Sequence, residues 1–198
     1  MSEELTRCPW LDTSKPDYVA YHDLEWGVPL YDDNKIFEFL VLESAQAGLS
    51  WYTILKKREN YRQAFASFDP VVVATFDEAT IEQLMNNPGI VRNRRKIEAA
   101  VNNAQRFLEV KAEFGSFSDY IWGFVSGKPK TSHIKCLSDY PATTPESDLL
   151  AKDMKKRGFK FLGSTTLYAH MQASGMVNDH SIDCFRRAEI IKASNDKK

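Results

Sequence analysis

The chain carries helix start and stop signals along almost its whole length and no sustained apolar–polar alternation, which restricts it to an all-α fold. After Asp32-Asp33-Asn34, a capping cluster, residues 35–47 read as an apolar helix ending near Gly48. Ser50 can cap a second helix from Trp51 through about Phe65, and Asp77 precedes a short one that Asn86-Asn87-Pro88-Gly89 stops. Residues 92–112 form a long amphipathic helix whose inner face holds Ile97, Ala100, Val101, Ala104, Phe107 and Leu108. Ser118 can cap 119–126, and a polar, proline-containing loop covers about 127–145. Two more helices follow, 147–157 and about 164–174. No repeat or low-complexity tract divides the chain, so residues 1–198 are expected to form a single domain of two helical lobes.

A hydrophobic fraction of 43% excludes a disordered chain, and no apolar run approaches a membrane span. The first residues carry acid where a secretory signal would carry base, and three cysteines make no disulfide framework. A cytoplasmic protein is the expectation. With 26 bases against 27 acids the formal charge is −1, which argues against a uniformly basic nucleic-acid binder. The charge is unevenly spread, however. Residues 1–55 hold three bases against ten acids, a net of −7, which leaves +6 for residues 56–198. Bases cluster at Lys56-Lys57-Arg58, at Arg92-Asn-Arg94-Arg95-Lys96 and at Lys155-Lys156-Arg157 with Lys160. Each cluster reads either as a solvated helix face or as a phosphate contact.

Between the last two helices, Gly158 and Gly163 bracket the aromatic segment Phe159-Lys160-Phe161-Leu162. Gly158 can end one helix with positive φ, and Gly163 permits close approach of another molecule. The N–H groups of Gly163, Ser164 and Thr165 would then face outward at a positive helix end, where an anion binds. Phe159, Phe161 and Leu162 would pin the turn to the body. The layout over about 147–174 is that of a helix-hairpin-helix module; an ordinary helical corner with glycine caps has the same spacing.

Three further groups of residues carry chemistry. Cys8 and His22 near one end, with His180 and Cys184 near the other, make up the donor set of a closed zinc site. His180 and Cys184 share a helical face at i, i+4, but the Cys8–His22 spacing matches no compact finger. Cys136, His133 and His170 read as structural or neutral. Glu43 falls on one stripe with Ile36, Leu40 and Ala47, where a carboxylate is costly unless it is paired or used. Trp10, Tyr18, Tyr21, Trp26 and Trp51 crowd the same quarter of the chain. An acid among such rings suits a flat, cationic ligand, although Trp26 and Trp122 read as core.

Together, Cys8-Pro-Trp10, Tyr18-Val-Ala-Tyr21-His22-Asp23-x-Glu25-Trp26-Gly27-Val28-Pro29, Leu42-Glu43-x-x-Gln46-Ala47-Gly48-Leu49-Ser50-Trp51, the Lys155–Gly163 segment and Gly175-x-Val177-Asn178-Asp179-His180-x-x-x-Cys184 resemble the DNA-3-methyladenine glycosylase I family over residues 7–184. The resemblance implies a helix-hairpin-helix glycosylase that hydrolyses the N-glycosidic bond of 3-methyladenine in alkylated double-stranded DNA; a monomer is expected. It implies one structural Zn2+ on Cys8, His22, His180 and Cys184, and Glu43 as the group that accepts hydrogen bonds from the damaged base. It also implies Trp10, Tyr18, Tyr21 and Trp51 as pocket walls and Leu49 as a wedge entering the gap the base leaves. Asp179 and Asp183 lie where related enzymes place a catalytic acid, and neither takes that role by resemblance. Two other readings remain open to test. One is a zinc-stabilised helical binding module without catalysis; the other is a metal phosphohydrolase built on His22-Asp23 and Asp179-His180.

Overall fold

The structure, a computed structural model, describes residues 5–195. Along the first half run α1 (Pro16–Leu24), α2 (Asp33–Gln46), α3 (Trp51–Leu55), α4 (Arg58–Ala64), α5 (Pro70–Val73) and α6 (Glu78–Met85). Along the second run α7 (Arg94–Phe114), α8 (Phe117–Gly123), α9 (Pro145–Lys156), α10 (Ser164–Ala173) and α11 (Phe185–Asn195). The expected all-α class holds, apart from a two-residue parallel bridge of β1 (Lys130–Thr131) with β2 (Val177–Asn178).

The capping chemistry explains most boundaries. Side chains of Asp32, Ser50, Asp77 and Asn93 each accept the N–H three residues on, at the starts of α2, α3, α6 and α7. Three boundaries differ from expectation. Ser116, not Ser118, caps α8, and Ser118 is buried. Thr144 caps α9 two residues early, with Pro145 pre-set for the first helical position. The expected 51–65 helix breaks at Lys56-Lys57, because Arg58 turns inward to bridge Glu38 and Glu25, both at 2.7 Å, while Arg62 joins Glu38 at 2.9 Å. Glu38 is buried, so these ion pairs satisfy a charge that would otherwise be stranded.

α7 is the axis of the larger core. Its Phe107 packs on Phe37 of α2 at 5.2 Å and on Phe117 of α8 at 4.0 Å between ring centroids. Ile97, Ala100, Val101 and Ala104 are buried as expected; Leu108 is only half-buried, and Ala99, Asn103 and Val110 join the inner face. A smaller cluster of Cys8, Tyr21, Trp26, Phe39, Ala173 and Cys184 joins the two ends of the chain. There the segment after α1 lies along the end of α10: Gly27 N–H donates to Gln172 O (3.1 Å) and Leu30 N–H to Ser174 O (3.0 Å). Gly175 closes this contact at φ +69°, where a Cβ would sit 2.4 Å from Val28 C. Only glycine fits there.

Candidate active site

A pocket of about 330 Å³ opens between α1, α2, α3 and α10. Glu43 reaches it from the last turns of α2, and Trp51 from the first residue of α3. Trp10, Tyr18 and Tyr21 close the side formed by the N-terminal segment and α1. Ring centroids of Tyr21 and Trp51 are 5.3 Å apart, those of Trp10 and Tyr18 also 5.3 Å, and Tyr18 and Tyr21 stack at 6.4 Å. The result is a slot of π-faces around one acid.

That acid is isolated. Glu43 is 5% exposed, and no described residue donates a hydrogen bond to its carboxyl. Burial alone pushes its pKa up to about 8, so the fold favours the neutral group at pH 7. Burial, and after it the nearby Glu43 charge, also raises the Tyr18 and Tyr21 phenols. The stripe on which Glu43 lies is buried at Ile36 and Leu40, but Ala47 lies past the helix end and is exposed.

The turn after α2 is held from outside. Gly48 takes φ +82°, and Lys96 of α7 donates its Nζ to Ala45 O (2.9 Å) and Ala47 O (2.6 Å), capping the helix's free carbonyls. Leu49 is thereby presented 42% exposed, between Gln46 and Trp51, which both line the pocket.

Behind the pocket, Cys8, His22, His180 and Cys184 are all buried, with donor atoms within 4.8 Å of one another. His180 Nδ1 lies 3.4 Å from Cys8 Sγ and 3.3 Å from Cys184 Sγ, and Cys184 Sγ lies 3.6 Å from His22 Nε2. A tetrahedral zinc site with these ligands has donor separations of roughly 3.5 Å. The remaining ring nitrogens are also placed for it. His22 Nδ1 meets Asp23 at 2.7 Å, itself clamped by Arg7, and His180 Nε2 meets Trp26 O at 3.0 Å. Those acceptors fix both tautomers so that the lone pairs face the sulfurs. The hydrogen bond between the two thiols sets them apart: it holds Cys184 far below the ordinary thiol range against the effect of burial, and with burial it pushes Cys8 well above that range. A cation would relieve that conflict. The donor set therefore fits a metal ion. The spare residues lie elsewhere: Cys136 and His133 are exposed, while His170 is fully buried with both ring nitrogens unpartnered and its pKa driven down to about 3 by burial.

The turn between α9 and α10 sits on α7. Asn103 Nδ2 donates to Lys160 O and its Oδ1 accepts Lys160 N–H, both at 2.8 Å, and Asn102 holds Gly158 O at 2.9 Å. Gly158 has φ +89° as expected, and Phe159 and Leu162 are buried. Phe161 does not pin the turn: it is 44% exposed with φ +57°, because the two asparagines take over the anchoring. α10 has no side-chain cap; the Ser164 hydroxyl is taken by Asp148 (2.6 Å), and a Cβ on Gly163 would meet nothing within 4 Å.

Much of the basic charge is spent inside the fold. Lys57 donates to Pro88 O, Arg94 pairs with Glu78 and Glu82, and Arg157 pairs with Glu113 and Asp153. Lys155, Lys156 and Lys160, beside the α9–α10 turn, have no ion pair among the described residues. No helix among these residues is long and apolar enough to cross a membrane.

Against this geometry, a methyladenine glycosylase family model matches residues 10–187. The chain belongs to that family. DNA-3-methyladenine glycosylase 1 of Escherichia coli (strain K12) is 49% identical over 91% of this chain and 96% of its own length. A crystal structure of 3-methyladenine DNA glycosylase I (TAG) superposes with a TM-score of 0.88 at 50% identity, covering 91% of this chain and 98% of that one. A structure of the Staphylococcus aureus 3-methyladenine DNA glycosylase I, bearing on 3-methyladenine recognition, has a TM-score of 0.86 at 44% identity over 88% and 93%. For a methyladenine glycosylase, the pocket roles read from sequence cover only part of the lining. Trp26 lines it as well as the core, Gln46 follows Glu43 by one turn, and Tyr140 and Gln172 enter from a loop and from α10. Gln46 was findable from its i+3 spacing; a loop tyrosine has no such signal.

Proposed function

We propose that the chain excises 3-methyladenine from alkylated double-stranded DNA by hydrolysing the N-glycosidic bond, the base-excision-repair activity for which its family is named. The observation that carries this is Glu43, a buried, unpaired carboxyl in a slot of aromatic rings. Methylation at N3 makes the purine cationic and hence a good leaving group, so selection can rest on binding. Extruding the nucleotide costs a few kcal/mol, least for a damaged base. The rings of Trp10, Tyr18, Tyr21 and Trp51 hold the cation by stacking, at about 0.5–2 kcal/mol per contact. Beside that cation the Glu43 pKa falls, and the resulting carboxylate accepts hydrogen bonds from the base. As the C1′–N9 bond breaks, its electron pair leaves with the base. Positive charge passes to the sugar, where the same carboxylate offsets it until water adds at C1′.

The other roles follow from placement. Leu49, exposed on a turn clamped by Lys96, fills the gap left in the stack. The free N–H groups of Gly163, Ser164 and Thr165 hold a phosphate in a helix-hairpin-helix anchor, aided by Lys155, Lys156 and Lys160. One structural Zn2+ on Cys8, His22, His180 and Cys184 ties the chain ends together. We place the protein in the cytoplasm with DNA, acting as a monomer. A metal-stabilised binding module would leave the desolvated Glu43 without a use.

Release of 3-methyladenine from methylated duplex is the test. Glu43→Gln is expected to lower single-turnover excision at least 100-fold while duplex affinity stays within about threefold. Excision at the parental rate would overturn the role given to Glu43.

A further inference from the structure

One group in the pocket is held in place by a network that no step above uses. Gln172, half-buried on α10, lines the same pocket as Glu43. Its side-chain Nε2 donates to Asp179 Oδ2 at 2.8 Å, and the same oxygen accepts the Tyr168 hydroxyl at 2.6 Å. Asp179 is completely buried. A carboxylate that already accepts a phenol hydrogen can take only the NH2 end of the amide, so the amide cannot turn over. Its Oε1 then has no partner among the described residues, and Gln172 lies against no other cavity described above. An amide oxygen so fixed is an acceptor that cannot become a donor.

We infer that Gln172 is a specificity-determining residue that reads the 6-position of the bound purine, accepting a hydrogen from an exocyclic amine and rejecting a 6-oxo group. In a 3-methyladenine nucleotide the exocyclic amine is the only N–H donor on the ring, and it carries two hydrogens. Glu43 and Gln172 are two acceptors for them. A 6-oxopurine turns an oxygen to the same place. Glu43 can answer that oxygen by staying protonated, since burial already favours its neutral form. Gln172 cannot answer it, because Asp179 holds its NH2 group away. Discrimination against the oxo base therefore rests on the amide, as it does wherever a site built for one hydrogen-bonding partner meets the opposite one.

This inference rests on the pocket binding a flipped purine, and the experiment separates the two. The probes are free 3-methyladenine and 3-methylhypoxanthine, which differ at the 6-position and by the imidazole proton of the oxo base, with binding followed by quenching of tryptophan fluorescence and the change of ratio in the variant isolating the 6-position. The parent is expected to bind 3-methyladenine at least tenfold more tightly. Gln172→Met, close in size but without the acceptor, is expected to narrow that ratio fivefold or more with its melting temperature within a few degrees of the parent. Gln172→Ala replaces it if the methionine variant misfolds. A narrowing of less than fivefold in the folded variant overturns the role of Gln172. If the parent binds neither base, the purine-pocket reading fails first, and the inference fails with it.

Discussion

Glu43 destabilises the molecule that uses it. Its pKa is about 8 in the fold against an ordinary carboxyl value of 4.5, so the unfolded chain ionises it first as pH rises. Its contribution is neutral below pH 4.5 and increasingly unfavourable from there to about 8. Glu43→Gln is therefore expected to raise stability by about 1–3 kcal/mol at pH 7, less than the full ionisation term because glutamine is itself polar and buried. Denaturant titrations should show that gain vanishing near pH 4.5. A stability gain paired with lost excision separates a functional acid from a structural one. Sequence alone singled Glu43 out correctly as a carboxyl on an apolar stripe, but through the wrong neighbour. Ala47 is exposed, and the burial comes instead from rings supplied by α1 and α3.

At the level of elements, the α9–α10 turn allows a clean separation of fold from contact. A Cβ at Gly163 meets nothing, and its φ of −75° suits any residue, so the site tolerates a side chain internally. Gly163→Leu is expected to leave the melting temperature unchanged while weakening duplex binding at least tenfold, equally with and without a lesion, by fluorescence anisotropy. A defect confined to damaged DNA would contradict phosphate anchoring. Helix existence was legible because caps and glycine stops are local signals, as at Asp32, Ser50, Asp77 and Gly158. Where tertiary contacts decided, it was not. The break at Lys56-Lys57 answers to Glu38 on another helix, and the release of Phe161 answers to Asn103, fifty-eight residues earlier in the chain. α1, α5 and α11 went unmarked, since each is short or weakly amphipathic and takes its place from tertiary packing, as α5 does against α7.

Across the whole molecule, the Cys/His cluster joins parts of the chain that its sequence keeps farthest apart. The four residue types named a zinc set, yet their spacing could not, because the pairing spans Cys8 to Cys184 and exists only once the fold brings the ends together. If metal sits there, chelation or Cys184→Ala should lower the melting temperature by more than 5 °C and abolish metal content by mass spectrometry, with excision lost only as the protein unfolds. Unchanged melting in a metal-free protein would refute a structural ion. The net charge of −1 is explained on the same scale: the acidic first quarter supplies Glu43, Glu38 and Asp23 for internal duties, and lysines without an ion pair among the described residues flank the turn proposed to meet DNA.

The joining of these segments does not depend on the Cys/His cluster alone. Phe185 N–H donates to Thr6 O at 3.0 Å, so the backbone itself comes back to where it started. Between Thr6 and Phe185 the chain therefore runs as a ring closed by that bond, with α11 leading away from the closure. The exposed tip at Gly127, at φ +70° with open space around its Cβ, is where such a ring could be reopened. A backbone cut between residues 127 and 128 would open that ring on the side away from Thr6 and Phe185 while leaving Glu43 and its rings undisturbed.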